Sequence, residues 1–154
     1  MSKIFIADFR DFLTALRQKQ VRYVLPVGSY SVILPGYSRT TGDLDIWVDR
    51  TPANYERLVQ AFRVFGMPVF DMSAGNFLGR PNLDVFTFGR PPVAIDIITQ
   101  LKGLDFAEAY AQAPEMEVDG LTVRLLHLQD LRRSKRAAGR PRDQNDLDNL
   151  PERA

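Results

Sequence analysis

The sequence predicts an α/β (α+β) domain: a mixed central β-sheet flanked by helices, with further helices toward the C-terminal end. Three observations carry this. Apolar residues recur at helical spacing in 9–16 and again in 55–65, residues 43–48 alternate with a period of two, and apolar runs at 83–88 and 93–99 flank a glycine- and proline-rich turn. A chain of 154 residues can bury one sizeable core, so 1–154 is read as a single domain, its core at about 20–100 and a hairpin and helices at about 104–150.

Phe9, Phe12, Leu13 and Leu16 form the apolar face of a first helix, with Asp8 as its N-cap and an end before Val21. Residues 23–27 are a short apolar strand stopped by Gly28, after which 29–34 begin a short helix closed by Pro35-Gly36. In 43–48, strand parity puts Asp43, Asp45 and Trp47 on one face and Leu44, Ile46 and Val48 on the other. Pro52 suits the first turn of a helix that carries Tyr55, Leu58, Val59, Phe62 and Phe65 and stops at Gly66. Residues 71–81, rich in small and turn-forming residues, read as a loop.

Strands at 83–88 and 93–99 pair through Gly89-Arg90-Pro91-Pro92, and the second carries Asp96 between Ile95 and Ile97. Phe106, Ala109 and Tyr110 indicate another helix. A second hairpin turns at Asp119-Gly120, between 116–118 and 121–126. A helix over 128–138 ends at Gly139, and Pro141 opens a last one through Leu147 and Leu150.

Composition narrows the function. A formal net charge of +1 advertises no global affinity for nucleic acid, so any such contact is local. With no cysteine, thiolate metal sites, disulfides and cysteine nucleophiles are all excluded. No apolar stretch approaches the roughly 20 residues of a membrane span, and charges at Asp8, Arg10 and Asp11 break any secretory signal pattern. A cytoplasmic location is expected.

Acids inside apolar strands need a reason, because an unpaired buried carboxylate is costly. If the strands of Asp45 and Asp96 are neighbours, these two and Asp43 converge, and a divalent cation relieves their repulsion. Mg2+, or Mn2+ in its place, suits an all-oxygen donor set completed by waters and phosphates. Gly28 and Ser29 supply the other half: a turn into a helix N-terminus offers backbone N–H groups to a phosphate. Arg39 and Thr40, just before the acidic strand, either steady a phosphate or fill the loop.

The order Gly28-Ser29, Asp43-Leu44-Asp45 and a lone Asp96 in an apolar strand resembles the DNA polymerase β-type nucleotidyltransferase superfamily. Within it, the chain is similar to small stand-alone bacterial members, among them the AbiEii-like and antitoxin-type minimal nucleotidyltransferases. The likeness covers roughly the first 100 residues and extends more loosely to the tail. It implies the nucleotidyltransferase superfold, with Asp43, Asp45 and Asp96 as metal ligands and catalytic residues. It also implies an NTP as substrate and transfer of its NMP to a hydroxyl acceptor, which is RNA (tRNA included), a protein or a small molecule. Asp130-Leu131, Lys135 and 138–143 resemble the tail motif of the same members, which makes Lys135 a phosphate contact oriented by Asp143 or Asp146.

Plainer readings stand beside these. The arginines of 132–142 read equally well as a solvated face or a nucleic-acid contact. His127, the single histidine, has no partner at ligand spacing and reads as packing or capping, and Trp47 reads as core rather than base-stacking. The alternative to an enzyme is a catalytically inactive protein of the same fold that binds a partner, as in a toxin–antitoxin pair. A third reading, RNA binding through the arginine-rich tail, is weakened by the balanced charge.

Overall fold

The computed structural model describes residues 7–26, 43–79, 84–90, 93–118, 120–139 and 141. The expected helix at 29–34 and the last helix after Pro141 fall outside the described residues. Within them the chain is a mixed α/β fold of five helices, a mixed four-stranded sheet and a small hairpin.

Helix α1 (Ala7–Gln18) forms where the spacing predicts, with Phe12, Leu13 and Leu16 fully buried. Asp8 lies inside its first turn rather than in front as a cap. The helix closes in a Schellman turn, with Val21 N–H donating to the Leu16 carbonyl and Gln20 left-handed at φ +57°. Strand β1 (Tyr23–Val24) pairs antiparallel with the end of β2 (Asp43–Val48). Of the expected run of 23–27, Val27 lies outside the described residues, and Leu25 leaves the ladder to bridge Leu125.

After β2, Thr51 caps α2 (Pro52–Phe65) by accepting from Asn54 N–H, and Gly66 ends it at φ +89°, a conformation costly to a residue with a Cβ. Residues 71–81 depart from the loop reading, since α3 (Ala74–Gly79) forms there. Local propensity is poor, but Ser73 accepts from Asn76 N–H, Phe77 is fully buried, and Arg50 Nε donates to the Phe77 carbonyl at 2.8 Å. Tertiary anchoring thus overrides a weak local preference.

Strand β3 (Val85–Arg90) and strand β4 (Val93–Ile98) form the expected hairpin. Gly89 and Arg90, placed in the turn by the sequence, belong to the strand instead. The sheet order is β1-β2-β4-β3, with β2 and β4 parallel and the outer pairs antiparallel. One face, carrying Leu44, Ile46, Phe86, Phe88, Ile95 and Ile97, is buried in the core. The edge-to-face contacts Phe12–Phe62 at 5.3 Å and Phe62–Phe88 at 4.8 Å tie α1, α2 and the sheet together.

Helix α4 (Phe106–Gln112) covers the other face at one end, where Phe106 meets Trp47 edge-on at 5.0 Å. The hairpin of β5 (Glu115–Val118) and β6 (Leu121–Arg124) extends beyond β1, and α5 (Leu128–Ala138) ends at Gly139 as predicted. Gly103, at φ +83°, lets the turn after β4 approach α5: a Cβ there would stand 2.8 Å from Ala137 Cβ. No helix among the described residues is long and apolar enough to cross a membrane.

Asn54 is the buried polar residue the sequence reading passed over. At 1% exposure, its Oδ1 accepts from Arg22 N–H while Nδ2 donates to the carbonyls of Arg22 and Asp49, pinning α2 to the ends of β1 and β2. Asn54→Ala takes the side-chain partner from the Arg22 N–H and the Asp49 carbonyl, while the Arg22 carbonyl keeps its bond from Asp49 N–H, so urea denaturation should show a loss of about 2–4 kcal/mol. Tyr23 is buried as well, and burial pushes its phenol up to about 12 despite the nearby charges of Arg17 and Arg124. The folded protein therefore holds a proton that the unfolded chain has released between pH 10 and 12. Stability should be unaffected by this group below pH 10 and fall by about 2–3 kcal/mol as pH rises to 12, measured against Tyr23→Phe.

Candidate functional site

Parallel pairing of β2 with β4 decides what the acids can do. Asp45 and Asp96 are direct partners in that register, as are Leu44 with Ile95 and Ile46 with Ile97. Register partners project from the same side of a sheet, and neighbouring strands lie about 4.8 Å apart. The two carboxylates therefore stand side by side on the face opposite the apolar one. Both residues are half-buried.

A third strand completes this row. Thr87 of β3 is the register partner of Asp96, and its hydroxyl donates to Asp96 Oδ1 at 2.7 Å. That bond fixes the carboxylate plane and leaves Oδ2 as the acceptor for a ligand. Sequence reading missed Thr87, although its signal was present: a lone hydroxyl between Phe86 and Phe88 that a hairpin register sets against Asp96.

Asp43 is paired with Ala94 in the same register, two residues from Asp45 on the same strand parity, and its side chain lies outside the described residues. Among the described residues no three His, Cys, Asp or Glu side chains gather to hold a metal. Gly28, Ser29, Arg39 and Thr40, expected at the phosphate end, also fall outside them. The structure thus brings together Asp45 and Asp96 and adds Thr87.

Trp47 shares the acid side of β2 by parity and is 1% exposed, so it is core, as the plainer reading held. Its indole Nε1 and Asp130 Oδ2 are buried with no hydrogen-bond partner among the described residues. Lys135, the expected phosphate contact, is buried in α5 at 6% exposure. Arg133 and Arg136 are exposed on the same helix, with Arg133 Nη1 3.7 Å from Asp130 Oδ1. His127 caps α5, its Nδ1 accepting from Gln129 N–H at 3.1 Å.

No known family model and no curated protein matches the chain.

Two like charges directly across a strand pair oppose folding by roughly 0.2–1 kcal/mol. Asp96→Asn keeps an acceptor for Thr87 and removes the repulsion with Asp45. In chelator-treated buffer it should unfold at higher urea concentration than the parent, by up to about 1 kcal/mol. A clear loss of stability would mean that the Asp96 charge is satisfied within the fold and the pair is structural.

Proposed function

We propose that the chain is a metal-dependent nucleotidyltransferase of the DNA polymerase β-type superfamily that transfers an NMP from an NTP to a hydroxyl acceptor. The observation that supports this best is the in-register pair Asp45 and Asp96 on neighbouring parallel strands, with Thr87 orienting Asp96. Two carboxylates side by side on one sheet face repel each other, and holding a cation is a functional reason to keep such a pair.

The donor set suits a hard divalent cation. Asp45 and Asp96 offer oxygen only, Thr87 leaves Asp96 Oδ2 available, and Asp43 follows the same strand parity. Magnesium bound there would neutralise the charge that phosphate brings and polarise the phosphorus. Asp43 and Asp45 would hold the nucleotide side of the site, and Asp96 the acceptor side.

The chain's own contribution is positioning and proton handling. The acceptor hydroxyl, held against Asp96, gives its proton to Oδ2 as its oxygen attacks the α-phosphorus. A new P–O bond forms, the bond from the α-phosphorus to the bridging oxygen breaks, and pyrophosphate carries away the electron pair. The hydrogen bond from Thr87 keeps Oδ1 from rotating into that role. Gly28 and Ser29 would receive the triphosphate through backbone N–H groups. A cytoplasmic setting supplies NTP. The acceptor class is left open among RNA, protein and small molecules.

Incubation of the chain with each labelled NTP, magnesium or manganese, and total RNA, candidate proteins or aminoglycoside-like small molecules should yield a labelled acceptor. Asp45→Asn should lower incorporation by at least ~100-fold with an unchanged circular dichroism spectrum. Thr87→Val should lower it about 3–10-fold, since it disturbs only orientation. Full activity of Asp45→Asn would sink the proposal.

A further inference from the structure

A cavity of about 330 Å3 opens at the edge of the sheet beyond β1, lined by Arg17, Gln20, Val21, Tyr23, Tyr110, Glu115 and Arg124. It lies away from the acids. Tyr23 pairs with Val48, three residues along β2 from Asp45, which is roughly 10 Å, and on the opposite strand parity.

Its charge is unbalanced by design of the packing. Arg124 is held rigidly: Nη1 donates to the Ala113 carbonyl at 3.2 Å, Nη2 to Glu115 Oε1 at 2.9 Å, and the guanidinium lies 4.3 Å from the centre of the Tyr110 ring. Arg22 packs on the same ring at 4.8 Å and is paired with Asp49 at 3.4 Å. Glu115 and Asp49 thus answer two of the three arginines. Arg17, in the last turn of α1, has no carboxylate partner among the described residues. The Tyr23 phenol keeps its proton throughout the physiological range, so it is available as a donor.

We propose that this cavity binds the phosphate group of a small phosphomonoester, gripped by Arg17 and Arg124 with the Tyr23 hydroxyl as a third donor. Two guanidinium groups and a phenol border the cavity, and a phosphate, with three terminal oxygens and a second negative charge, answers them more fully than a carboxylate with two oxygens and one charge. Glu115 offsets one guanidinium, which leaves a net positive wall suited to a dianion. The volume holds the phosphate with a small organic substituent beside it, at the lower end of ordinary ligand pockets. The inference is independent of nucleotide transfer, since it uses neither the acids nor a metal.

Calorimetric titration of the full chain in chelator-containing buffer, with inorganic phosphate and glycerol 3-phosphate, tests it; glycerol and acetate serve as controls. Both phosphates should bind with one-to-one saturation, glycerol should not, and acetate should bind at least ~10-fold more weakly. Affinity for glycerol 3-phosphate should rise between pH 5 and 7 as the second proton of the monoester, with its pKa of about 6, leaves. Arg17→Gln, an exposed site that leaves the melting temperature unchanged, should weaken glycerol 3-phosphate at least ~10-fold, and Tyr23→Phe a few-fold. Asp96→Asn should leave it unaltered. No saturable binding, equal binding of acetate, or loss of binding in Asp96→Asn with retention in Arg17→Gln would each overturn the proposal.

Discussion

The register between β2 and β4 is the constraint on which the rest of the molecule turns. Parallel strands cannot be joined by a tight turn, so the chain between them must cross the sheet, and here it does so through α2, α3 and β3. That excursion supplies the cover for the apolar face. It also returns β4 into the slot beside β2 with Asp96 level with Asp45. A slip of one residue would turn Asp96 into the core and Ile95 or Ile97 to the acid side.

The same register explains why the fold tolerates its acids. Leu44, Ile46, Ile95 and Ile97 lock the alternation from below, so apolar burial sets the register that places the two carboxylates side by side. Asn54 secures the outer edge of this arrangement by adding side-chain hydrogen bonds to the backbone of Arg22 and Asp49, where β1 and β2 meet their ends. The sheet edge then becomes a second place where charge collects, because Arg22 and Arg124 both settle on the Tyr110 ring between the sheet and the small hairpin.

Much of this was legible from residue order. The strand at 43–48, the helix from Pro52 to Phe65 with its glycine stop, the Asp-Gly hairpin and the helix over 128–138 all follow from period, caps and turn residues. Each is a local decision, and local chemistry is what a sequence displays. The short helix at 74–79 was not legible, since its stability comes from Phe77 in a pocket and Arg50 on its last carbonyls, contacts with partners distant in the chain. The extension of β3 through Gly89 and Arg90 escaped for a related reason: turn-forming residues were recruited into a ladder by the partner strand.

The sequence by itself determined that Asp43 and Asp45 share a strand face, that Asp96 sits in a separate apolar strand, and that the two helical periods need a sheet to cover. Only the tertiary structure decided that Asp45 and Asp96 are neighbours, that Thr87 turns its hydroxyl to Asp96, and that Arg17, Tyr23 and Arg124 border one cavity. The division has a physical basis. Alternation and helical spacing are properties of a few consecutive bonds, whereas strand pairing depends on how apolar faces from the whole chain are buried together.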